Sequence, residues 1–157
     1  MSTSTEHPLS PLTAAEIEQG AVLVKAQLSE QATFSAVNLV EPRKAEVMAY
    51  QPGDAITRQL RFVGYDYPSF ERRDGGFEAI VDLSTEVVTL QRIDSGHAAI
   101  GLADFVQAIQ ITKTDTGWQD AMRARGVTDF DLVQVDPWPT GGYQHPSIPA
   151  GHRVHRA

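Results

Sequence analysis

Apolar positions in "LTAAEIEQGAVLVKAQL" recur at helical spacing: Ile17, Ala21, Val24 and Leu28 share one face, with Glu16, Glu18 and Lys25 left for solvent. Thr13 and Glu16 stand three apart, the spacing of a capping box in which each side chain bonds the other's backbone N–H. Leu12 and Ile17 occupy the two positions of a hydrophobic staple. The pattern predicts an amphipathic helix over 14–29. The period then drops to two. "TFSAVNLVEP" sets Phe34, Ala36 and Asn38 against Val37 and Leu39 and stops at Pro42. "KAEVMAY" follows after a short turn and ends at "QPGD", a strong turn signal. "ITRQLRFVGYDY" places Ile56, Arg58, Leu60 and Phe62 on one phase. "RRDGG" reads as a hairpin, because Asp-Gly accepts the positive φ of a type I′ turn. "GFEAIVDLS" and "EVVTLQRI" complete a meander, joined at Ser84-Thr85. One helix followed by four or five antiparallel strands is an α+β unit, the helix covering the sheet's apolar face.

Residues 1–11 read as a leader, and "DSGHAAIG" (94–101) as a linker. Beyond it Leu102, Phe105, Val106 and Ile109 share a second helical face, with a break at Thr112–Asp115. A short helix follows, Thr116 and Gln119 at capping-box spacing and Gly126 as its stop. "DFDLVQVDPWP" alternates as a strand. Here an internal repeat emerges. Phe34-x-x-Val37-x-Leu39 with Glu41-Pro42 is similar to Phe130-x-x-Val133-x-Val135 with Asp136-Pro137. Each follows a helix, so residues 12–95 form one small α+β unit and 96–157 the first part of a second, incomplete one. A helix on a two-stranded hairpin buries too little apolar surface to stand alone. Something outside these residues is expected to complete it.

Composition narrows the chemistry. With 41% apolar and 21% charged residues, the 157-residue chain is of ordinary globular type. A net charge of −7, with 13 scattered Lys and Arg, gives no footprint for nucleic acid or an anionic membrane. The absence of cysteine excludes disulfides, thiolate metal sites and cysteine nucleophiles. No apolar leader and no long apolar run are present, which implies a cytoplasmic protein. The five histidines, His7, His97, His145, His152 and His155, lie in leader, linker and tail, and none forms the His-x-His pair that a strand would present on one face. No Gly-x-Ser-x-Gly or triad spacing appears. Asp74-Gly75-Gly76 precedes no helix that could cradle a phosphate. Trp138, bracketed by Pro137 and Pro139, either presents its indole at a recognition surface or plugs the core at a strand end.

"HPLSPLTAAEI", "FSAVNLVEPRKAEVMAY", "FEAIVDLSTEVV" and "RARGVTDFDLVQVDPWPTGGY" together resemble, in order, the start of copper-containing primary amine oxidases. The resemblance implies two small cystatin-like domains, the first whole and the second begun, ahead of a large catalytic domain. It implies a non-catalytic portion or small subunit of a tyramine or other amine oxidase. Copper and topaquinone would then reside in a partner catalytic polypeptide. The family's quinone-forming Tyr follows Asn; Tyr65 follows Gly64, so it is read as a strand residue. None of the catalytic residues can be carried over. Phe105 and Trp138 match positions bordering the family's substrate channel. The alternative is a stand-alone cystatin-like binding module without enzymatic activity, holding another protein or a peptide at an open strand edge or at the Trp138 loop.

Overall fold

In the computed structural model, residues 7–66, 75–93, 97–141, 143, 145–148 and 154–157 are described. The chain divides into two compact units, Met1–Ala98 and Ala99–Ala157.

The first unit is α+β. Helix α1 (Ala14–Lys25) starts at the capping box that the sequence implies: Glu16 N–H donates to Thr13 Oγ1 at 3.2 Å, and Thr13 N–H to Glu16 Oε2 at 2.8 Å. It ends four residues earlier than the apolar spacing suggests, in turns closed by Gln27 and Leu28 N–H on Val24 and Lys25 carbonyls. Strands β1 (Thr33–Leu39), β2 (Gln59–Tyr65), β3 (Gly76–Asp82) and β4 (Val87–Ile93) form one antiparallel sheet in chain order. A register shift between Phe34 and Ala36 interrupts the β1–β2 ladder. The other two ladders are continuous, Leu60 facing Val81 and Ala79 facing Leu90.

Alternation then sorts the sheet. Leu60, Phe62, Phe77, Ala79 and Val81 turn to one side and are fully buried there with Val24 of α1. The helix rests chiefly on β2, β3 and β4. Its seat depends on Gly20, where an added Cβ would stand 2.9 Å from the Phe62 ring. Ile17, assigned to the core face by its spacing, is 36% exposed instead.

Two strand assignments change. "KAEVMAY", grouped with the strands, contains helix α2 (Lys44–Ala49), because Glu46 Oε2 accepts the Arg43 N–H at 2.8 Å and caps a run of good helix formers. Ile56–Thr57, read as the start of a strand, lie ahead of β2, which begins at Gln59. The "RRDGG" hairpin falls largely outside the described residues.

The second unit has helices α3 (Leu102–Thr114) and α4 (Thr116–Ala124), and strands β5 (Trp138–Pro139) and β6 (His155–Arg156), two residues each, paired antiparallel. The cap of α4 is Asp115, whose Oδ1 accepts the Trp118 N–H at 2.7 Å, rather than Thr116. Gly126 stops the helix at φ 82°, its N–H on the Arg123 carbonyl. "DFDLVQV" is not a strand. Asp129 Oδ1 accepts the Asp131 N–H at 3.1 Å and turns Phe130–Leu132 into a single 3-10 turn. Phe130 then packs on Trp118, ring centroids 5.5 Å apart, with the Arg123 guanidinium 5.2 Å from its ring.

Candidate functional site

Four places gather the polar or exposed aromatic residues from which a site could be built. The most heavily bonded is Arg58. It stands one residue before β2, in phase with Leu60 and Phe62, so its guanidinium is carried to the helix side and is 7% exposed. There it donates to Glu16 Oε1 at 2.8 Å and to the carbonyls of Ser10 at 3.0 Å, Pro8 at 3.2 Å and Pro11 at 3.3 Å. The hydrogen bond from Arg58, opposed by burial and aided by Thr13, holds the Glu16 carboxyl below its ordinary value. Every donor is engaged in tying 8–11 and the start of α1 to the sheet, which is a structural task.

Asp66, 2% exposed at the end of β2, does the same at the other end of the helix. It accepts a short hydrogen bond from Ser29 Oγ, and the Arg92 guanidinium lies 3.0 Å away. Burial pushes its carboxyl up, and the bonds from Ser29 and Arg92 outweigh it, so the net direction is down. Tyr65 beside it is a buried strand residue paired with Thr33 and Gly76.

A third place is an open groove of about 560 Å³ bordered by Pro8, Glu41, Arg43, Tyr50, Asp54 and Thr57. Two of its acidic side chains serve their own loops: Asp54 Oδ2 accepts the Gln51 N–H at 2.8 Å, and Glu46 caps α2. The His7 ring meets Tyr50 edge-on at 5.4 Å.

The fourth is the loop around Trp138. Pro137 is fully buried and anchors it, while Trp138 is 59% exposed with its Nε1–H on Asp136 Oδ2 at 3.0 Å. Of the two readings of this residue, presentation of the indole fits and the core plug does not. Phe105 is half-buried on α3, so the two residues stand on different elements of the unit. Apolar surface is open elsewhere too: Leu102 is 82%, Val106 47%, Ile111 62% and Leu132 83% exposed.

Known proteins place this architecture. Residues 13–90 match the model of the AGAO-like N2 domain. A primary amine oxidase of Klebsiella aerogenes is 31% identical over 142 residues, covering 86% of this chain and 18% of that protein. A copper methylamine oxidase of Arthrobacter sp. (strain P1) is 29% identical over 155 residues, covering 96% and 22%. The chain belongs to the copper amine oxidase family, as an N-terminal domain. A peroxisomal N-methylputrescine oxidase of Nicotiana tabacum is also similar, 25% identical over 187 residues, 93% of this chain and 23% of that protein. The chain thus spans about a fifth of the length of the curated relatives it matches.

The described residues do not assemble a copper site. Among the described residues no three His, Asp or Glu are placed to share an ion. His7 and His145 each use Nδ1 to accept a neighbouring backbone N–H, at 3.1 and 3.2 Å. His152 lies outside the described residues. The sequence reading missed Arg58 and Asp66. For Arg58 a signal was present: a cation on the apolar phase of a strand must find partners inside.

Proposed function

We propose that this chain is the non-catalytic N-terminal portion, or a small subunit, of a copper amine oxidase. It supports a catalytic polypeptide that holds copper and topaquinone and oxidises a primary amine to an aldehyde, reducing oxygen to hydrogen peroxide and releasing ammonia. The first unit is a whole cystatin-like domain and the second an incomplete copy of it. The observation that carries the reading is that, among the described residues, none of those in α3, α4 or the 3-10 turn is buried. A partner sharing about four-fifths of the relatives' length is what such a unit lacks. In the assembly, Phe105 and Trp138 would border the amine's route to the quinone. The proposed setting is the cytoplasm.

The test is purification of the full chain from its source with its native partners, then a quinone stain and mass spectrometry of what co-elutes. A stoichiometric, quinone-positive polypeptide is expected. A chain that elutes alone, folded throughout, would sink the proposal. In the active assembly, Trp138→Ala should change KM for bulky amines more than kcat, measured by peroxide release.

A further inference from the structure

We infer that the first unit pairs with a second copy of itself, β4 against β4 and antiparallel about a two-fold axis at Leu90, joining two four-stranded sheets into one. The inference concerns the first unit alone and does not depend on the amine oxidase reading.

The ladders decide which backbone groups are open. Asp66 N–H donates to the Gly75 carbonyl at 2.7 Å, and Leu83 N–H to the Arg58 carbonyl at 3.0 Å. Hydrogen-bonded pairs alternate along an antiparallel ladder. On β3 the odd-numbered residues therefore turn their backbones to β2 and the even-numbered ones to β4. Through the register Glu78 to Gln91 and Ile80 to Thr89, it is the odd-numbered residues of β4 that bond to β3. Val88, Leu90 and Arg92 turn their N–H and C=O groups outward, and among the described residues no backbone partner meets them.

The opposite edge of the sheet, β1, is interrupted by its register shift between Phe34 and Ala36, the kind of bulge that discourages a further strand. β4 has no such guard. Its ladder is continuous, and "VVTLQRI" contains no proline, glycine or lysine. Its one charged side chain, Arg92, is already met by Asp66 at 3.0 Å.

The sequence of β4 selects the occupant, because it is complementary to itself. Pairing about Leu90 sets Leu90 against Leu90 of the second copy, Val88 against Arg92, Thr89 against Gln91 and Val87 against Ile93. On the open face apolar meets apolar at both ends and polar meets polar between them, and no like charges are opposed. The outward backbone groups fall in the same phase, so Leu90 with its copy, and Val88 with Arg92, become hydrogen-bonded pairs. On the helix side Val88 and Leu90, half-buried at the rim of the core, gain cover. Val87, 58% exposed, gains Ile93 on the open face. A single strand edge lies at the small end of protein interfaces, below about 1,200 Å², so the pair is expected at high protein concentration.

Sedimentation equilibrium of the full chain at rising concentration, with amide exchange read in parallel, tests the pairing. A monomer–dimer equilibrium is expected. Exchange at Val88 and Leu90 should slow as the dimer forms, while the Thr89 and Gln91 amides, bonded to β3, stay slow throughout. Thr89 and Gln91 are exposed and would meet in the non-hydrogen-bonded register, where side chains stand closest. Thr89→Lys with Gln91→Lys sets like charges across the axis and should weaken the dimer at least tenfold. Thr89→Glu with Gln91→Lys sets opposite charges there and should restore it. Native melts of both double variants separate loss of pairing from loss of fold. A chain that stays monomeric, or a dimer indifferent to both variants, overturns the inference. So does slowing at Val88 and Leu90 only when a different polypeptide is added, which would make the occupant a foreign strand.

Discussion

The two units start from similar ingredients and end differently. Each opens with an amphipathic helix, followed by an aromatic-x-x-Val segment and an acidic-Pro pair. In the first, the segment becomes β1, because β2 pairs with it and β3 and β4 extend the sheet under α1. In the second, the matching segment collapses into a 3-10 turn at Phe130–Leu132, and of the side chains described there only Pro137 is buried. The comparison teaches that local pattern made the second segment strand-competent, and that a strand forms only when a partner takes its hydrogen bonds.

The sharpest way to break the comparison is to cut the same kind of side chain from both units. Phe62→Ala removes a ring packed between Phe34, Leu60 and Gly20 and should destabilise the first unit by about 3–5 kcal/mol. Leu132→Ala, at a position 83% exposed, should stay within about 0.5 kcal/mol in the isolated chain. Urea denaturation of each variant checks both. An equal loss at the two positions would mean that the second unit has a core of its own.

Arg58→Ala comes next, at about 3 kcal/mol, because it leaves Glu16 charged without its partner and frees the carbonyls of Pro8, Ser10 and Pro11. Amide exchange should quicken over 9–13 while the second unit is unaffected.

Acid should act on the first unit through the same groups. Glu16 and Asp66 have folded values below the ordinary 4.5 and 3.8, so their stabilisation is fully present above those values. It is lost as pH falls through the lower folded values. Urea midpoints should therefore drop below about pH 4.5, and Glu16→Gln should flatten that drop. The smallest effect is expected at Arg61→Ala. Its two bonds to Glu78 are 2.7 Å each, but the pair is 47% and 35% exposed, so solvent screens it and the urea midpoint should barely move.

Much of the first unit was legible because its signals are local or periodic. The Thr13–Glu16 cap and the alternation that gives the meander from Gln59 to Ile93 are both of this kind, and in the second unit so is the stop at Gly126. What escaped depends on choices between nearly equal local options. "KAEVMAY" alternates as a strand does, yet Glu46 reaching back to Arg43 tips it to helix. "DFDLVQV" alternates too, and the Asp129 carboxylate competes successfully for the backbone. Arg58 and Asp66 were invisible as partners because Glu16, Ser29 and Arg92 are far from them in sequence.

The most direct measurement is native-state hydrogen exchange across the full chain in isolation. Slow amides are expected in β2 and β3, at the level of global unfolding, and fast ones throughout α3, α4, β5 and β6. Protection of the second unit equal to that of the first would contradict the account, since it would show a unit that needs nothing from another polypeptide.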